Sequence, residues 1–252
     1  MERAWELYPA LTKAVKRTHD EAAEWLGGPM FHCHDFDHTL RVANYAMVIA
    51  PDEKTGKMAA IAGLCHNADR ILQKKLKVGP FGKVPREDIE KMVRGWLTVE
   101  FDTPKMREGD PYRPRFDTTE EGRAIIDAVL NHGNKNGKGD SAVLITLMDA
   151  NRLVNIEADV LVRDGQYFGD TLRVVDPVHL DKDPNASFRN LGSILRNSVE
   201  KFDWEMEGGF VGIRLPKARE LMKSRFIFLR LWIETVRAQR EEAGLFPYPA
   251  FD

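Results

Sequence analysis

The residues best suited to catalysis or metal binding lie in two clusters. Each cluster contains histidine together with acidic or amide side chains next to an apolar segment. His34 and His38 are four residues apart, so on a helix they would project from one face. A second apolar segment ends in His66, Asn67 and Asp69. Imidazoles and carboxylates are common ligands of divalent metals. The sequence therefore predicts that these two helix ends form the floor of a metal site.

A third candidate ligand is Asp149, which lies inside the apolar segment SAVLITLMDANRLVNI. An ionised carboxylate in such surroundings is costly unless it is paired or bound to a metal. Two interpretations stay open for this residue. It is either a metal ligand, which we favour, or the partner of Arg152 or of another basic residue at the edge of the core.

These segments also resemble a known protein family. The pattern HDFDHTLRV, the Ala/Leu-rich segment ending in His-Asn, and LMDANRL are similar to motifs of the HD-domain superfamily of metal-dependent phosphohydrolases, in particular a bacterial subgroup with HDxxHxxRV and DADRL-like motifs. The resemblance implies four metal ligands, namely His38, His66, Asn67 and Asp149. Asn67 stands where the family has Asp, and Asn151 stands where the subgroup has its second Asp.

The other site residues are assigned by their charge and by their place beside these motifs. Asp69 is three residues from His66 and could supply the charge that Asn67 lacks. Arginine and lysine suit a phosphorylated substrate, although a lysine-rich loop is also typical of a solvated surface, and a lone histidine at a helix end is also typical of a cap. We assign catalytic roles to His34, Asp69 and Arg70, and substrate binding to Arg41, Lys74, Lys75, His132 and Arg152.

The expected cofactor is a divalent metal ion. Two imidazoles with one or two carboxylates suit Mn, Fe, Ni, Zn or Mg, and His34, Asp35 and Asp37 could make room for a second ion. Such an ion lowers the pKa of bound water toward about 7 and polarises a phosphoryl oxygen. The resemblance implies hydrolysis of a phosphate ester, with a nucleotide as the first candidate. The alternatives are a nucleotide-binding module without turnover and a helical scaffold with a vestigial site.

The pattern of apolar residues predicts an all-α fold, which the resemblance makes an HD-domain-like helical bundle. Turn-rich segments leave room for a short β-hairpin near 160–180 or 205–213. We expect a single domain over residues 1–252. Its parts are an N-terminal packing helix over 2–26 with a kink or start at Pro9, a metal-site core over 30–156, and C-terminal helices over 185–245, the last over 217–245. The basic segment after Arg70 is predicted to be a loop, because Gly79, Pro80, Gly82 and Pro85 punctuate it.

Composition excludes several classes of function. Lys and Arg total 37 against 39 Asp and Glu in 252 residues, a net charge of −2, which provides no field to hold a nucleic acid polymer. No apolar run approaches the roughly 20 residues of a membrane span. Two cysteines cannot form a disulfide framework, so we expect a cytoplasmic protein that acts on a small phosphorylated substrate. Assembly into a homodimer stays open.

Overall fold

A computed structural model describes residues 2–24, 35–78, 82–102, 114–168, 172–174 and 193–245. The α-helices in these residues are α1 (Ala4–Leu7), α2 (Pro9–Glu24), α3 (Phe36–Ile49), α4 (Glu53–Cys65), α5 (Ala68–Lys75), α6 (Arg86–Leu97), α7 (Glu120–Asn131), α8 (Ala142–Val154), α9 (Val160–Phe168), α10 (Ile194–Glu200) and α11 (Pro216–Glu242). A π-helical turn (Thr98–Asp102) follows α6, and two 3-10 turns cover Phe116–Thr118 and Lys201–Glu205. The predicted all-α class is confirmed.

Helix α4 is the central helix, and its neighbours carry the predicted site residues near their ends. Its residues 59–65 are all buried, and it packs against α3, α7 and α8. A Cβ atom on Gly63 would lie 2.8 Å from the Cα atom of Ala43 on α3. Because only glycine permits this approach, α3 and α4 pack closely at the level of the predicted metal ligands.

The N-terminal segment forms two helices. Tyr8 ends α1, and Pro9 is the first residue of α2, a position where the missing N–H of proline costs nothing. The predicted break at Pro9 is confirmed, whereas residues 25 and 26 of the predicted helix lie outside the described part of the chain. Helix α2 packs against α4, α5 and α6.

The prediction of a loop directly after Arg70 was wrong in its first part, because residues 68–75 form α5. Ile71 and Leu72 are buried, which stabilises a helix on this surface. Lys74 and Lys75 lie in its last turn, where cations interact favourably with the helix dipole. The first glycine of the segment comes at position 79, after the helix has ended.

The predicted hairpin is absent from the described residues. The chain forms α9 over 160–168, because Val160, Arg163 and Asp164 share one buried helical face. Residues 205–213 are turns, and the one β-type contact in the described part is an isolated bridge between Arg173 and Ser193. The remainder of the predicted hairpin region, 169–171 and 175–180, lies outside the described residues.

The C-terminal helix is the longest described element. Helix α11 confirms the predicted final helix and buries Met222, Phe226, Leu229 and Ile233. Ile227 and Leu231 are exposed on its opposite side, and homodimer formation stays a prediction. Residues 185–192 of the predicted helix before it are not described. In the described ranges, no helix combines the length and apolar character that crossing a membrane requires.

Candidate functional site

Three histidines from three helices lie together at the end of α4. His38 is in the first turn of α3, and His66 and His132 are the C-cap residues of α4 and α7. The ring centroids of His38 and His66 are 5.2 Å apart, and those of His66 and His132 are 5.4 Å apart. His38 and His66 are buried, and His132 is half-buried. We call these three residues the histidine cluster.

His66 and His132 have the same local geometry. In each, Nδ1 lies 2.7 Å from the carbonyl oxygen three residues earlier, that of Gly63 and that of Val129 respectively. A carbonyl only accepts hydrogen bonds, so Nδ1 carries the proton and the neutral ring keeps its lone pair on Nε2. Nε2 of His66 is buried and has no hydrogen-bond partner in the part of the chain that the structure describes. A backbone carbonyl that fixes Nδ1 in this way is common for metal-binding histidines.

His38 has the opposite arrangement. Nη1 of Arg163, from α9, lies 3.3 Å from Nδ1 of His38. Because a guanidinium only donates, Nδ1 accepts and the neutral His38 ring carries its proton on Nε2. Arg163 is itself buried and also donates from Nη2 to the carbonyl of Val154 at 2.5 Å. The positive charge of Arg163, which also forms an ion pair with Asp159 at 3.2 Å, therefore lies against the first of the predicted metal ligands.

The surroundings of His66 favour its neutral form. Burial lowers its pKa from 6.5 to about 3, and positive charge at His132, His19 and Arg70 acts in the same direction, against the hydrogen bond to Gly63. His66 is thus uncharged near neutral pH, as is His19, whose pKa is lowered to about 4 by its burial, and Arg70 contributes positive charge nearby.

The carboxylate of Asp149 contacts the two residues that precede α11. Its Oδ2 accepts the backbone N–H groups of Arg214 at 2.8 Å and Leu215 at 2.7 Å. Nη1 of Arg152 lies 3.4 Å from Oδ1, which is the pairing that the sequence left open. Burial raises the pKa of Asp149, and the two backbone N–H groups oppose that shift. The side chain is fully buried and stabilises the start of α11.

The other acidic candidates near the cluster also have partners. Asp35 accepts the backbone N–H of His38 at 2.7 Å and caps α3, and Asp69 accepts that of Arg70 at 2.7 Å. Asn67 is buried, and its Nδ2 donates to Oγ1 of Thr39 at 2.9 Å. In the described part of the chain, no group of three or more His, Cys, Asp or Glu side chains is placed to hold a metal ion. Of the predicted ligands, His38 and His66 thus lie side by side, and Asn67 and Asp149 are engaged by the hydrogen bonds described above.

The predicted substrate-binding arginines differ in their contacts. Arg41 forms ion pairs with three carboxylates at 2.6 to 2.9 Å, those of Asp37, Glu157 and Asp159. Arg152 is buried and donates to Asn136 at 2.9 Å as well as contacting Asp149. These two guanidinium groups thus belong to structural networks, and their role in substrate binding stays a prediction.

Of the basic residues of α5, Arg70 acts on the histidine cluster. Nη1 of Arg70 donates to the hydroxyl of Tyr167 at 3.1 Å, and its charge acts on His66. Nζ of Lys74 is shielded from solvent, while Lys75 is exposed. Asp69, also in α5, is half-buried beside Arg70. The third predicted catalytic residue, His34, lies outside the described residues.

Two residues near the site were not predicted. Nothing in the sequence indicated Arg163, because its segment was assigned to turns and a hairpin. The sequence did contain an indication of His19, because this histidine interrupts a line of apolar residues on α2 formed by Leu11, Val15 and Ala22. His19 is buried in the fold. A histidine on such a face is commonly a core residue, and only its surroundings in the fold indicate otherwise.

Comparison of the chain with protein-family models, with curated proteins and with solved structures gave no match in any of the three. The HD-domain resemblance therefore stays a prediction based on the motifs around His38, His66 and Asp149. What the site can do is inferred below from its geometry and charge.

Proposed function

We propose that this protein binds a phosphate ester, with a nucleotide as the first candidate, at the histidine cluster. The observation that carries the proposal is the contact of 3.3 Å between Arg163 and His38. The guanidinium places a positive charge beside a ring that the family resemblance makes a metal ligand. Such a charge repels a cation and attracts an anion, and burial strengthens both effects.

The guanidinium groups around the cluster can donate to an anionic ligand. Arg70 and Arg163 bring two such groups to the cluster. Each also has a carboxylate partner, Asp69 at 3.5 Å and Asp159 at 3.2 Å. A guanidinium has five N–H donors, so it can donate to a phosphoryl oxygen in addition to its carboxylate.

The three imidazoles offer complementary hydrogen bonds to a phosphate. With Arg163 donating to Nδ1, His38 presents Nε2–H as a donor to a phosphoryl oxygen. His66 and His132, whose Nδ1 atoms donate to backbone carbonyls, present Nε2 as an acceptor for a phosphate hydroxyl. Arg70 can add a charge-assisted hydrogen bond, which is roughly twice as strong as a neutral one.

The test is calorimetric titration of the EDTA-treated protein with inorganic phosphate and with adenosine mono-, di- and triphosphate. We expect binding without metal, weakened about tenfold by Arg70→Gln, since one charge-assisted hydrogen bond contributes about 1.5 kcal/mol. The control is Arg17→Gln, because that side chain is 76% exposed on α2, and it should bind as the parent does. Metal-free protein that binds none of these ligands contradicts the proposal.

A second candidate, metal-dependent phosphohydrolysis, is favoured by the matched geometry of His66 and His132. Both rings present an Nε2 lone pair, as metal-binding histidines do. A donor set rich in imidazole suits Zn, Ni or Fe better than Mg. A bound ion would supply an activated water and polarise the phosphoryl group.

The same ligand panel separates the two candidates. Phosphate release is measured with added Zn, Ni, Mn or Mg, and again after EDTA. Turnover that requires a metal establishes the enzyme, whereas binding without turnover under every condition establishes the binding module.

A further inference from the structure

His19 is a buried polar side chain whose hydrogen-bonding capacity is unused. It is 4% exposed, and neither ring nitrogen has a hydrogen-bond partner among the described residues. An unsatisfied buried polar group costs about 1 to 3 kcal/mol, and in a native protein it often indicates a ligand or an ion. The candidate metal and substrate residues described above do not include His19.

An aromatic ring and a lysine lie near His19. The rings of His19 and Phe36 pack in an edge-on arrangement, with their centroids 5.9 Å apart. Helix α2 packs against α5, whose Lys74 has an Nζ atom shielded from solvent. Burial, and then the charge of Lys74, lowers the pKa of His19 to about 4, and Lys16 adds to this while Asp20 opposes it. Asp20 is itself ion-paired with Lys16 at 2.6 Å.

We propose that His19 and Lys74 together bind an oxyanion, the phosphate group of the ligand, in a pocket between α2 and α5. This inference rests on the proposed function and locates the phosphate on the α2 side of His66. A neutral imidazole can either donate its N–H to a phosphoryl oxygen or accept a phosphate hydroxyl at its other nitrogen. The ammonium of Lys74 supplies the charge, and a cation in the same place would be repelled by it.

The test is titration of the EDTA-treated full chain with inorganic phosphate. His19→Phe keeps the ring against Phe36 but removes both nitrogens, and Lys74→Met keeps the chain length but removes the charge. We expect each substitution to weaken phosphate binding about tenfold or more. The matched control is Lys75→Met, because the neighbouring Lys75 is exposed, and it should change affinity less than about twofold.

The possible outcomes test the His19–Lys74 pocket and the proposed function separately. If the parent binds phosphate and His19→Phe binds it equally well, the pocket is refuted while the proposed function stands. If the parent binds no phosphate, both fail. If His19→Phe lowers the melting temperature so far that titration is not feasible, His19→Leu provides the same decision, because its side chain is apolar and can neither donate nor accept a hydrogen bond. A structural role for His19 would leave phosphate affinity unchanged in every folded variant.

Discussion

Asp149 accepts the backbone N–H of Leu215 at 2.7 Å, and this hydrogen bond joins the middle of α8 to the start of α11. The same oxygen also accepts the N–H of Arg214. Leu215 has no side chain that can cap a helix, and Pro216 follows it at the first helical position. A carboxylate from another helix thus serves as the cap, at the end of α11 where negative charge is favourable.

Asp149→Ala is expected to destabilise the protein by about 3 to 5 kcal/mol, because it removes the cap and leaves the buried Arg152 without this counter-charge. Chemical denaturation measures the loss, and hydrogen exchange at the amides of Arg214 and Leu215 localises it. Asp52→Ala is the control, since it removes an exposed cap of α4 and should cost only about 1 kcal/mol. A variant that loses metal affinity at unchanged stability would instead make Asp149 a metal ligand.

Asn67→Asp is expected to lower stability in EDTA by about 1 to 3 kcal/mol, because the amide that donates to Thr39 is replaced by a buried carboxylate that can only accept. Asn151→Asp is the matched control, since Asn151 is half-buried. Melting temperatures are compared with EDTA and with added Zn or Mn. Recovery in metal would show that the new carboxylate completes a metal site. Equal stability of Asn67→Asp and its parent in EDTA contradicts the role given to Asn67.

Gly63→Ala is expected to destabilise the protein by about 1 to 3 kcal/mol, because the added methyl group would lie 2.8 Å from the backbone of Ala43. The displacement of α3 from α4 should also weaken ligand binding by separating His38 from His66. Gly95→Ala is the control, because the space around Gly95 is open and the change should stabilise α6 by about 0.5 to 1 kcal/mol. Denaturation of both variants measures the difference, and equal stability would refute the close helix contact.

His19 should make the protein sensitive to acid. Its pKa is about 4 in the folded protein against 6.5 ordinarily, so the unfolded chain binds a proton more readily than the folded one. Stability is therefore unaffected above about pH 7 and falls by up to roughly 3 kcal/mol between about pH 6.5 and 4. His66, with a pKa of about 3, extends the loss to lower pH. Denaturation from pH 7 to 4 should show a smaller loss for His19→Phe than for its parent, and parallel curves contradict this.

Local sequence signals predicted the helices well. Thr119 and Ser141 cap α7 and α8 through side-chain hydrogen bonds to backbone N–H groups, and Pro9 starts α2. The segments at 68–75 and 160–168 were missed because glycines and charges near them outweighed their short buried faces. The buried faces of these two helices can be recognised only when the surfaces they pack against are known.

The sequence predicted which histidines lie together in the site, but it did not predict which charged groups contact the site residues. The spacing around His38 and His66 placed two imidazoles correctly beside each other. The partners of Asp149 and His38 come from residues 65 and 125 positions away, at Arg214 and Arg163. Contacts of that separation leave no periodic pattern in the sequence, so the sequence could not indicate them.

The most direct measurement is the nitrogen chemical shift of the imidazoles in metal-free protein labelled with ¹⁵N-histidine. The chain has seven histidines, so single substitutions can assign His38, His66 and His132. Binding of phosphate at the cluster predicts that inorganic phosphate shifts the Nε2 resonances of these three rings in the presence of EDTA. Resonances that stay unchanged with phosphate and move only when Zn is added would contradict an anion site and establish a metal site in its place.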